Sequence, residues 1–142
     1  MATVPPVIDK PEYVNSSIPM GEYVLVNVPK ESLSSYKSAN YWKDMAKKIE
    51  DLGAKSLCIK DMAGLLTPYK ATELIGAMKE AVDLPIQLHT HYTSGVASMT
   101  YMKAVEAGVD VIDTAISPFA LGTSQPATEV MVETFKGTPY DT

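Results

Sequence analysis

Both histidines of this chain sit in one phrase, Leu88-His89-Thr90-His91. In a strand, residues i and i+2 project from the same face. A strand here would set the two imidazoles side by side, and two neutral imidazoles make half of a divalent-metal site. The run Leu84-Pro85-Ile86-Gln87-Leu88 leads into the phrase as a buried strand would, and Tyr92-Thr93-Ser94-Gly95 follows as a turn. A lone histidine is more often a hydrogen-bonded core residue than a ligand. The pairing at the end of an apolar strand is what raises metal chemistry.

The elements that must hold this pair alternate regularly. Tyr41 to Leu52 reads as an amphipathic helix with Tyr41, Trp42, Met45, Ala46, Ile49 and Leu52 on one stripe, Asn40 as N-cap and Gly53 as its left-handed stop. Lys55 to Asp61 reads as a short strand. Thr67-Pro68 opens a second helix running to about Val82, which buries Leu74, Ile75, Met78 and Val82. After the histidine strand come a helix over about Ala97 to Ala107, stopped by Gly108, and a third buried strand over Val109 to Ala115. A last helix spans Pro126 to Lys136 and ends at Gly137. The methionines at 45, 78, 99, 102 and 131 fall on helical stripes and are expected in the core. Alternating βα units predict a parallel sheet covered by helices. Each polar motif follows a strand, and the C-terminal ends of parallel strands are where α/β folds build sites.

Composition narrows the setting. The chain has 142 residues, a net charge of −5 and a single cysteine, Cys58. An acidic balance argues against general nucleic-acid binding. No apolar run is long enough for membrane insertion, the N-terminus lacks a secretory layout, and one cysteine forms no intrachain disulfide. A cytoplasmic location is the expectation. Cys58 shares a strand face with Lys60 but is expected to be a small core residue rather than a nucleophile. For Asp113 the commoner role is to cap the loop that follows its strand, although it could line a substrate. Thr93-Ser94-Gly95 is expected to cap the next helix rather than bind an anion.

Three ordered motifs then resemble a known family. Ile59-Lys60-Asp61-Met62-Ala63-Gly64-Leu65-Leu66-Thr67-Pro68, Leu88-His89-Thr90-His91 and Glu106-Ala107-Gly108-Val109-Asp110-Val111-Ile112-Asp113-Thr114-Ala115, with Gly122-Thr123-Ser124-Gln125-Pro126 after them, resemble the biotin-dependent carboxyltransferases that act on pyruvate and oxaloacetate. Among these are the oxaloacetate decarboxylase alpha subunit and the carboxyltransferase domain of pyruvate carboxylase. The resemblance implies an α/β fold of partial TIM-barrel type, formed by the sixth to eighth βα units of a (β/α)8 barrel over residues 39–142. Residues 1–38 are a divergent or unrelated segment with one strand at Tyr23 to Val28. It implies that Lys60 becomes N-carboxylated and binds a divalent metal (zinc, manganese or cobalt) together with His89 and His91, with Met62 lining the site. Lys60 and Met62 would then be catalytic.

The resemblance also says what this stretch lacks. The family's aspartate ligand lies on its first strand, and Asp9 does not match it. No Ala-Met-Lys-Met carrier motif is present, so biotin would arrive on another chain or on a carrier domain. The expected partners are pyruvate or oxaloacetate, that biotin carrier domain, and the remaining barrel units or a second copy through self-association. The chain alone is expected to be inactive. An alternative is a non-enzymatic relic or an engineered partial barrel that keeps a metal half-site. A relative of hydroxymethylglutaryl-CoA lyase would share His-x-His, but Lys60 argues against it.

Overall fold

The computed structural model describes residues 39–141. The strand expected at Tyr23 to Val28 lies outside them. The element order is helix α1 (Ala39–Asp51), strand β1 (Leu57–Asp61), helix α2 (Pro68–Ala81), strand β2 (Ile86–Thr90), helix α3 (Ala97–Glu106), strand β3 (Val111–Ile112) and, after a single 3-10 turn at Ser117–Phe119, helix α4 (Thr128–Phe135). The three strands form one parallel sheet in the order β1-β2-β3. The expected alternation and strand direction are therefore present.

Period-2 alternation divides the sheet into two unlike faces. Leu57, Ile86 and Leu88 point to the helices and are buried with Ala46, Ile49, Ala71, Ile75, Met78, Tyr101 and Ala104, while Ile59 and Ile112 pack on this cluster. Tyr101 is fully enclosed beneath β2, and its hydroxyl accepts a hydrogen bond from the Thr90 N–H at 3.0 Å. Burial pushes the Tyr101 phenol far above its ordinary pKa. The opposite face carries Cys58 and Lys60 on β1, Gln87 and His89 on β2, and Val111 followed by Asp113 on and after β3. No element among the described residues covers this polar face, and Val111 is 48% exposed.

Several local expectations are corrected. Helix α1 begins at Ala39, so Asn40 lies in its first turn rather than at the cap. Leu52 falls past the helix end and is exposed. Thr67 does precede Pro68 at the start of α2, but its side chain makes no capping bond. Met99 is half exposed and leaves the core, in contrast to Met45, Met78 and Met131. β3 is a two-residue strand, shorter than the expected Val109 to Ala115 and not buried. Among the described residues it pairs on one side only, with β2, although the N–H groups of Asp110 and Asp113 still donate to Ile86 and Leu88. Helix α4 starts at Thr128 because Pro126 and Ala127 are used differently. The Pro126 carbonyl accepts from the Ala115 N–H, and Ala127 bridges Ala115.

Candidate metal centre

Parallel pairing sets the site by register. Lys60 pairs with His89, and Cys58 with Gln87 one layer below. Both rows lie on the polar face of the sheet, at the strand ends where βα loops begin. His91 stands just past β2, and its ring centroid is 5.2 Å from that of His89. The structure therefore brings Lys60, His89 and His91 to one end of the sheet. Met62 is on the turn directly after β1 and is 59% exposed.

The turn after β1 is organised by Asp61. Its carboxylate accepts from the N–H groups of Leu65 and Leu66 at 3.0 and 2.8 Å and from the Thr90 hydroxyl at 2.6 Å. Its backbone carbonyl accepts from the His91 N–H at 3.0 Å. Gly64 completes the turn at φ +65°, and a Cβ there would overlap the His91 carbonyl oxygen. The middle of the Lys60-to-Gly64 motif is thus scaffolding for the histidine turn. Ser94, expected to cap α3, instead donates its hydroxyl to the Gly64 carbonyl and ties the two turns together.

His89 is engaged at both ring nitrogens. Nδ1 lies 2.6 Å from Asp113 Oδ2, and Nε2 lies 3.3 Å from the Gln125 amide nitrogen. The other oxygen of Asp113 accepts from Gln87 Nε2 at 2.5 Å. Asp113 thus serves the histidine strand; its carboxylate is not spent on capping the loop after β3. Its position one residue past β3, beside His89, follows from strand order, which composition and spacing alone do not reveal. Gln125 has no spacing signal at all, since a loop carries it back to the site. The Ser124 carbonyl accepts from the Tyr92 N–H at 2.7 Å, which anchors that loop beside the histidine turn. Cys58 lies half buried on the polar face and not in the core where it was expected, and burial pushes its thiol pKa up, which disfavours a nucleophile.

The donor set suits a divalent metal. Metal-binding histidines commonly give their second ring N–H to a carboxylate, and His89 with Asp113 has that arrangement. Among the described residues, no third His, Cys, Asp or Glu joins the pair. No helix among the described residues is long and apolar enough to cross a membrane.

Comparison with known proteins gives the same direction. A pyruvate carboxylase subunit of Methanocaldococcus jannaschii is 55% identical over 111 residues, 78% of this chain and 20% of the relative. The corresponding subunit of Methanothermobacter thermautotrophicus is 50% identical over 111 residues, with the same two shares. The carboxyl transferase domain of Rhizobium etli pyruvate carboxylase, solved with pyruvate and biocytin, superposes with a TM-score of 0.72 at 43% identity, covering 75% of this chain and 18% of that one. The chain spans about a fifth of the length of these relatives. The HMGL-like family profile matches residues 22–138, beginning upstream of Ala39. With the parallel sheet and the two strand-end motifs in place, that match over most of its length makes this chain a member of the HMGL-like family.

Proposed function

We propose that this chain forms the metal-binding sector of a carboxyltransferase barrel, moving a carboxyl group between biotin and pyruvate or oxaloacetate. The observation that carries the proposal is the meeting of Lys60 with His89 in register, with the His91 ring 5.2 Å from that of His89. Residues 39–142 would be the sixth to eighth units of the barrel, and 1–38 a divergent lead-in. The polar face of the sheet suits the interior of such a barrel, where the remaining units would lie across it.

His89, His91 and a carboxylated Lys60 would hold the metal. A lysine ammonium has no lone pair to offer. After losing a proton to solvent, the Lys60 amine can add carbon dioxide and release a second proton, leaving an anionic carbamate oxygen. Such an oxygen is a hard ligand suited to zinc, manganese or cobalt. When bound, the metal would polarise the pyruvate oxygen and stabilise the enolate. Met62 would line the space beside it. Biotin would come on a carrier domain, on another chain or elsewhere in a longer one. A cytoplasmic setting suits this chemistry. A relic that keeps only the half-site is the alternative, and the intact Asp113–His89 pair disfavours it.

Zinc titration calorimetry with and without bicarbonate tests the proposal. Binding is expected to be weak, to tighten with bicarbonate and to be lost in His89→Ala or His91→Ala. Lys60→Ala should remove the bicarbonate dependence. Equal zinc affinity in the wild type and the double histidine variant would overturn the assignment.

A further inference from the structure

We propose that Asp113 is a positioning residue that keeps the His89 proton on Nδ1, so that Nε2 is the nitrogen offered to a metal. The inference rests on the metal site proposed above, but its first test needs no metal. An ionised carboxylate only accepts hydrogen bonds. Asp113 Oδ2, 2.6 Å from Nδ1, therefore requires a proton on that nitrogen. On the far side of the ring, an amide N–H pointing at Nε2 from 3.3 Å requires a lone pair there. Two contacts from different parts of the chain thus demand the same tautomer.

Asp113 is fixed for this task by Gln87, two residues before His89 on the same strand face, whose amide donates to the second carboxylate oxygen. One carboxylate so spans two side chains of the neighbouring strand and has little freedom to turn. Gln125 is held independently of His89. Its own backbone carbonyl accepts from the Leu121 N–H at 2.8 Å, and the preceding Ser124 carbonyl accepts from Tyr92.

Asp113→Asn reverses the polarity at Nδ1. The Gln87 N–H retains the asparagine oxygen, which turns the new NH2 toward the ring. His89 must then accept at Nδ1 and carry its proton on Nε2, leaving no lone pair for a metal there. Long-range 1H–15N spectra of the metal-free, histidine-labelled 142-residue chain, at about pH 8.5 and above the ordinary imidazole range, read the tautomer directly. His89→Ala assigns the signals. The wild type should show Nδ1–H, Asp113→Asn should show Nε2–H, and Gln125→Ala should keep Nδ1–H.

Zinc affinity should fall about 10- to 100-fold in Asp113→Asn. A wild-type Nε2–H tautomer, or an unchanged tautomer in Asp113→Asn, overturns the role of Asp113. If Asp113→Asn does not fold, the wild-type spectrum and Gln125→Ala still decide. Failure of wild-type zinc binding with the expected tautomers would count against the metal site and not against the tautomer assignment.

Discussion

Gly64 shows how tightly the histidine turn is built. Its φ of +65° lies in the left-handed region, and the space its Cβ would take is filled by the His91 carbonyl. Alanine there meets two costs, backbone strain and a clash with main chain that is itself pinned by the His91 N–H bond to Asp61. Together these should exceed roughly 2 kcal/mol. Urea denaturation of Gly64→Ala checks the loss, and zinc binding should weaken in parallel because His91 must shift. Gly53→Ala is a fair control, since its φ is also positive but nothing lies within 4 Å of its Cβ. It should cost the strain alone. Spacing made the histidine pair visible, because strand alternation is a local property. Asp113 was harder, because whether an aspartate caps its own loop or serves a neighbouring strand depends on which strand that neighbour is.

At the level of elements, helix–glycine–strand alternation was enough to predict a parallel sheet, and the covering helices follow from their apolar stripes. The ends of elements were less accessible, since they depend on tertiary partners. β3 is two residues long, and α4 starts late because Pro126 bonds across to Ala115. Asp110 marks how the sheet is tied to α2. Its carboxylate accepts from the Ile86 N–H at 2.7 Å and from Lys79 at 3.0 Å. Burial alone would raise its pKa, but these hydrogen bonds outweigh that cost and leave the carboxyl below its ordinary value. The unfolded chain therefore binds more protons there, and stability rises with pH through that window. The contribution is present above about pH 4 and disappears as pH falls through the lower folded value. Asp110→Asn keeps an acceptor for the Ile86 N–H and loses the ion pair, so it should cost about 1 kcal/mol or less, because the carboxylate is 40% exposed. Asp110→Ala strands a buried N–H and should cost about 1–3 kcal/mol. Denaturant midpoints across pH should show the gap between wild type and Asp110→Asn closing in acid. A constant gap down to about pH 2 would refute the linkage.

The molecule as a whole carries three kinds of unfinished surface among its described residues. β1 and β3 each pair on one side only, leaving backbone groups along the outer edges of the sheet, and open edges invite pairing with another chain. On the polar face, which bears Lys60, Gln87, His89 and Asp113, the Gln125 loop reaches His89, but no helix or strand among the described residues lies across it. Beside β3, a cavity of about 340 Å³ opens between α3 and α4, lined by Val109, Val111, Ile112, Met131, Val132 and Phe135. Exposed Val111, Val130 and Val132 extend this apolar border. A closed barrel would cover all three features by supplying a strand at each edge and side chains across the interior. The isolated chain should instead bury them against copies of itself. Sedimentation velocity at tens of micromolar should show mass rising with concentration, and Val111→Lys, which places a charge on the β3 border, should reduce that association without unfolding the chain. Extending the chain with the upstream barrel units of its relatives should suppress self-association more completely. A monomer at all these concentrations that melts cooperatively would contradict the expectation, and would mean that the edges are covered from within the same chain.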